Sequence, residues 1–316
     1  MNAVLAACLL LAAGAAAAEA PLRIGSKRFT ESYIRGEVMV QAARGAGARA
    51  EHRPGLGNTG IVFAALKAGS IDLYPEYTGT IAKEILKLEG DAGLQALNRA
   101  LAPQGFGVAV PLGFNNSYAL AMREDRARAL GIGSLSDLAR HAELRLGLSQ
   151  EFIGRADGWP GLKAAYRLPH AAPQGLDHGL AYEAVAAGRI DVMDIYTTDA
   201  KIERYRLRTL EDDRKYFPRY DAVLLYRLDV PQRFPEAWRA LRQLKGRIGE
   251  ARMIRMNAAA ELEGKSFADA AALLQGDGGA VRAARRSFLA ALFGPDFWRL
   301  TREHLVLVFA SLAASI

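Results

Sequence analysis

The sequence predicts an α/β protein built as two similar lobes that face each other across a cleft. Three observations carry this. Helical patterns alternate with short apolar segments at Leu22–Gly25, Val108–Val110, Arg145–Leu148, Ile190–Ile195 and Ala222–Tyr226, the βαβα rhythm of α/β folds. A stretch from Gly60 to Thr78, GIVFAALKAGSIDLYPEYT, recurs from Gly179 to Thr197 as GLAYEAVAAGRIDVMDIYT, an offset of 119 residues. The chain, 316 residues with 51% hydrophobic and 24% charged residues, is long enough for roughly two domains that each bury a core.

Residues 1–20 carry the pattern of a secretory signal. Ala3–Ala13 is an apolar run too short to span a bilayer, and small residues follow it with A-x-A sites at Ala16–Ala18 and Ala18–Ala20. The only cysteine, Cys8, lies inside that run, so a processed chain would have neither disulfide nor thiol chemistry. After the strand Leu22–Gly25, a helix is expected over about Glu31–Arg44, with Tyr33, Ile34, Val38 and Met39 spaced for a buried face and Gly45 and Gly47 as its stop.

In the repeat, Gly60, Ala65, Ala68, Gly69, Ile71, Asp72, Tyr77 and Thr78 pair with Gly179, Ala184, Ala187, Gly188, Ile190, Asp191, Tyr196 and Thr197. Each copy reads as a helix, a glycine stop, a short strand and a Tyr-Thr at the strand's carboxyl end. Open α/β sheets bind ligands at that end. An offset this large is no solenoid period and fits two lobes that each deliver one tyrosine. The competing explanation is a generic helix-to-strand turn that arose twice, since turns reuse Gly and Asp.

The formal net charge of +7 invites a nucleic-acid role. The arginines of Lys201–Lys215 are interleaved with Glu203, Glu211, Asp212 and Asp213, and Arg239–Arg255 places its cations around Leu241, Leu244 and Ile248 at helical spacing. Both read as solvated surface without a nucleic-acid motif. Gly55-Leu56-Gly57-Asn58-Thr59-Gly60 matches G-x-G-x-x-G, but the segment before it alternates and ends in Pro54, whereas a dinucleotide fingerprint follows a buried apolar strand. None of the five histidines has metal-ligand spacing, and no nucleophile elbow or carboxylate pair stands out, so neither a metal, a cofactor nor an enzyme is expected. Tyr77 and Tyr196, the repeat-related pair, are joined by Tyr118 and Tyr220 beside segments able to carry the chain between lobes.

Several segments in order carry a resemblance: Ile24-Gly25-Ser26-Lys27 with Phe29-Thr30-Glu31, Gly55-Leu56-Gly57 with Thr59, and Ile71-Asp72-Leu73-Tyr74-Pro75-Glu76-Tyr77-Thr78-Gly79-Thr80. Asn116-Ser117-Tyr118, Glu151-Phe152 with Arg155 and Asp157-Gly158, Tyr196-Thr197-Thr198-Asp199 and Tyr220-Asp221 continue it. The chain resembles the glycine betaine/carnitine/choline-binding proteins of osmoprotectant ABC importers from about Leu22 to Phe293. The resemblance implies a two-lobe type II periplasmic binding protein fold, with residues 21–116 and 221–294 in one lobe and 117–220 in the other. It implies an aromatic cage of Tyr77, Tyr118, Tyr196 and Tyr220, with Lys27, Thr80 and Arg155 holding a ligand carboxylate and Asn116 as a polar neighbour. A quaternary ammonium has no N–H to donate, so π faces and shape must recognise it.

The expected function is an extracytoplasmic solute-binding protein that delivers a quaternary-ammonium osmoprotectant, glycine betaine or choline, to an ABC permease and its ATPase. Carnitine or ergothioneine as ligand, and a ligand-sensing receptor module or a secreted enzyme using the same cleft, are the alternatives. Residues 295–316, ending in the 12-residue apolar run Leu305–Ile316, resemble the opening of a fused permease and offer a membrane association.

Overall fold

The computed structural model describes residues 20–90, 92–275, 301–302 and 305. The expected signal segment, Cys8 and nearly all of the expected permease-like segment lie outside the described residues.

Among the described residues ten strands form two five-stranded mixed sheets. The first contains β1 (Leu22–Gly25), β2 (Ala50–Arg53), β3 (Leu73–Tyr77), β4 (Phe106–Ala109) and β10 (Ala222–Arg227); the second contains β5 (Tyr118–Arg123), β6 (Leu146–Ser149), β7 (Gln174–Leu176), β8 (Val192–Tyr196) and β9 (Leu207–Thr209). The spatial orders are β2-β1-β3-β10-β4 and β7-β6-β8-β5-β9. In the first sheet β1 runs parallel to β2 and β3, while β10 is antiparallel to β3 and β4. In the second β6 runs parallel to β7 and β8, while β5 is antiparallel to β8 and β9. The sheets therefore repeat one plan, and the two repeat strands, β3 and β8, hold the central place in each.

The helices that position the site are α1 (Thr30–Gly45), α2 (Thr59–Lys67), α3 (Gln150–Gly154), α4 (His178–Ala186) and α5 (Glu250–Glu261). Ile34, Val38 and Met39 of α1 are buried as their spacing predicts, while Tyr33 is half-buried and stacks on Phe267 at 4.7 Å. Arg239–Arg255 is not one helix: a helix over Pro235–Arg242 ends, Gly246 turns the chain at φ +69°, and α5 begins at Glu250.

The repeat reaches beyond a turn. Asn58 caps α2 by accepting from the Ile61 N–H at 3.2 Å, and Asp177, at the same offset, caps α4 by accepting from the Gly179 N–H at 3.0 Å. Gly69 and Gly188 end the helices at φ +70° and +67°, the left-handed region that glycine enters without a Cβ clash. Asp72 accepts from the backbone N–H and Nε of Arg23 in β1; Asp191 accepts from the same two atoms of Arg145, just before β6. Cap, stop and aspartate do the same work in both copies, which is more than shared turn chemistry requires.

The chain passes between the sheets twice, from β4 to β5 and from β9 to β10. The two passages lie side by side: Asn115 and Asp221 form an antiparallel bridge, the Asn116 N–H donates to the Tyr220 carbonyl at 3.0 Å, and the Tyr220 N–H donates to Asn115 Oδ1 at 2.7 Å.

Candidate functional site

In the first sheet β1 meets β3 at a single register pair, Ile24↔Leu73. Beyond it the two strands part, and Lys27, Glu76 and Tyr77 lie past that point. A cavity of about 510 Å³ forms there, lined from both halves of the molecule by Lys27, Tyr77 and Thr80 on one side and by Tyr118, Glu151 and Tyr196 on the other. Asn116 and Tyr220, from the paired passages, also line it.

The four predicted tyrosines all line this cavity. Tyr118 and Tyr196 are direct cross-strand partners between β5 and β8, their ring centroids 5.3 Å apart. Tyr118 also meets the edge of Tyr220 at 5.6 Å and 83°, and Phe29 lies 5.3 Å from Tyr196. Tyr77 stands among cations: the Arg35 guanidinium lies over its ring at 4.2 Å and Lys27 Nζ at 5.4 Å. The Tyr77 hydroxyl donates to Glu31 Oε1 at 2.5 Å and that of Tyr220 to Asp157 Oδ2 at 2.8 Å. Burial pushes all four phenols up, so they stay neutral and present intact π faces.

Lys27 and Arg155 are both buried and both engaged. Lys27 Nζ donates to Glu76 Oε1 at 2.7 Å and to Thr59 Oγ1 at 3.4 Å. Arg155 grips Asp157 with two bonds, Nε to Oδ1 at 2.8 Å and Nη2 to Oδ2 at 2.6 Å, and its Nη1 donates to Thr80 Oγ1 at 3.3 Å. The structure thus brings Arg155 and Thr80 together and pairs Lys27 with Glu76. Arg155 stands behind the cavity wall, over the Tyr118 ring at 5.3 Å. Asn116 donates to both Glu31 Oε1 and the Tyr77 hydroxyl at 3.2 Å, which ties the Tyr77 ring to Glu31.

Three side chains matter that sequence reasoning did not assign to the site. Glu31, in α1, accepts from Tyr77 and Asn116 on Oε1 and from Thr198 and Asn257 on Oε2. Glu151, in α3, accepts from the Thr59 hydroxyl across the cleft at 2.6 Å. His178 opens α4, stacks on Tyr196 at 4.4 Å and bonds Asp199 at 2.8 Å, with Asp194 at 3.8 Å. Burial favours its neutral form, but the two carboxylates outweigh that and push it up to about 10. The partners lie 16 and 21 residues away in sequence, so no local spacing signals the cluster; Glu31 and Glu151 did stand inside the motifs.

The G-x-G-x-x-G segment follows β2, which is an edge strand whose exposure increases toward Arg53, and Thr59 at its helix N-terminus donates to Glu151. Among the described residues no group of three or more His, Cys, Asp or Glu side chains is placed to hold a metal ion. None of their helices is long and apolar enough to cross a membrane.

Two sheets of matching plan, joined by paired passages and enclosing an aromatic-walled cleft, define a two-lobe solute-binding protein. The sequence profile of the substrate-binding domain of ABC-type glycine betaine transport systems covers residues 20–273, and the chain belongs to that family. It is 36% identical over 270 residues to a glycine-betaine-binding protein of Pseudomonas aeruginosa, covering 80% of this chain and 86% of that one. It is 32% identical over 276 residues to an ergothioneine transport permease/ergothioneine binding protein of Helicobacter pylori, covering 83% of this chain but 48% of that protein, so it spans about half of that relative's length. The crystal structure of a glycine betaine/carnitine/choline ABC transporter protein superposes with a TM-score of 0.64 at 26% identity, over 79% of this chain and 96% of that one.

Proposed function

We propose that the chain is the extracytoplasmic binding component of an ABC importer and that it takes a trimethylammonium solute into the cage of Tyr77, Tyr118, Tyr196 and Tyr220. The convergence of these four rings on one cavity, from two strand ends and two passages, carries the reading. Each desolvated cation–π contact contributes ~2 kcal/mol, so several together support micromolar binding, about −8 kcal/mol, after ordering costs. Lys27 and Thr80, which line the cavity, take the ligand's anionic end where it has one, with Arg155 behind the wall supporting Thr80. Because Glu76 and Asp157 already engage the two cations, a ligand carboxylate would join existing ion pairs. The loaded protein then docks on the permease, which with its ATPase moves the solute inward; residues 1–20 direct export.

Calorimetric titration with glycine betaine, choline, carnitine and ergothioneine tests this. Saturable binding of at least one of them, lost in the Tyr77→Ala/Tyr196→Ala variant, is the expected result. A folded protein that binds none sinks the quaternary-amine reading, while ergothioneine alone would align its ligand with that of the Helicobacter relative.

A further inference from the structure

The cations around the cavity each have a carboxylate of their own: Lys27 has Glu76 at 2.7 Å, Arg155 has Asp157 at 2.6 Å, His178 has Asp199 at 2.8 Å and Arg28 has Asp177 at 3.7 Å. Glu151 is left over. Its nearest cation is Arg155 at 3.5 Å, which already grips Asp157 with two bonds. Burial raises the Glu151 carboxyl, but the Lys27 charge and the Thr59 hydrogen bond pull harder, and it is held below the usual range and charged at neutral pH. It lines the same cavity as the four tyrosines, with about a fifth of its side chain exposed there. Through Lys27 Nζ→Thr59 Oγ1→Glu151 Oε1 it also sits at the N-terminus of α2, whose partial positive charge would suit a ligand's own anionic group.

We infer that Glu151 is a specificity-determining residue: its carboxylate fills the place a ligand carboxylate would take, so the cleft favours a net-cationic quaternary amine carrying an O–H or N–H donor over a zwitterionic betaine. This rests on the quaternary-amine reading above. A donor on the ligand has an acceptor waiting in Glu151, whereas a second carboxylate there meets like charge in a partly desolvated pocket, where a unit charge acts far more strongly than in water. The same carboxylate attracts the ammonium itself across the cavity.

The test is the ratio of choline to glycine betaine affinity, measured by calorimetry in the full chain and in Glu151→Gln, a change of one charge at nearly constant shape. The ratio should move toward glycine betaine by at least about tenfold, with choline weakened and glycine betaine strengthened. Thr59→Val, which cuts the cross-cleft tie and leaves the charge, should keep the wild-type ratio. Equal changes for both ligands in Glu151→Gln, or a Thr59→Val ratio that moves as far as that of Glu151→Gln, overturns the proposal and leaves Glu151 as a tie between walls. Wild-type protein that binds neither choline nor glycine betaine overturns this proposal, and only if it also binds neither carnitine nor ergothioneine does the quaternary-amine reading fall with it, a result distinct from an unchanged ratio.

Discussion

Thr198 donates its hydroxyl to Glu31 Oε2 at 2.5 Å, joining the loop after β8 to helix α1 across 167 residues of sequence. With Tyr77 and Asn116 on the other oxygen and Asn257 of α5 beside Thr198, one buried carboxylate ties both halves of the molecule and a passage between them. Arg35, fully buried, has that carboxylate at 3.7 Å as its charge partner.

Replacing Glu31 with Gln leaves the Arg35 charge buried without its counter-charge, a class of change that costs about 3–5 kcal/mol. Urea unfolding should show a loss of that order. A loss under about 1 kcal/mol would show that the hydrogen bonds alone hold the node.

The proposed cage makes a sharper demand. Tyr196→Ala removes one ring face and should weaken the preferred quaternary amine by about 30-fold, from ~2 kcal/mol per desolvated contact. Tyr196→Phe keeps the ring and should stay within about threefold. If both variants lose affinity alike, the hydroxyl and not the π face recognises the ligand.

His178 sets a pH dependence with a definite sign. Its folded value is pushed up to about 10, against an ordinary 6.5, so the stability it confers is fully present below pH 6.5 and is lost as pH rises toward 10. Thermal unfolding of the wild-type protein should therefore lose more between pH 7 and 10 than that of His178→Gln. Parallel curves would show that the His178 charge does not contribute to stability.

The two glycine stops predict matched costs. A Cβ on Gly188 meets open space and one on Gly69 comes no closer than 3.6 Å to Arg227, so only the left-handed φ penalises alanine. Each substitution should destabilise by about 1–2 kcal/mol, and costs that differ by more than about 1 kcal/mol would break the equivalence of the two copies.

The fold was legible because its repeat is written in backbone chemistry. Gly69 and Gly188, Asp72 and Asp191, Tyr77 and Tyr196 stand at positions where few residues serve, so the match survived divergence of the apolar residues between them. The four rings were legible partly from that repeat and partly from family resemblance. His178 and its aspartates were not, since they meet only when α4, β8 and the following loop come together in space. The engagement of Lys27 by Glu76 was hidden for a related reason: a sequence shows a cation and a carboxylate 49 residues apart without showing that they spend their charge on each other.

The paired passages have a mechanical consequence. Two strips laid edge to edge and bonded through Asn115, Asn116, Tyr220 and Asp221 bend readily about one line and resist torsion, as a door hung on two hinges swings but does not swivel. Tyr118 begins where one strip ends and Tyr220 rides on the other, so two of the rings that line the cavity stand on the line about which the halves would bend.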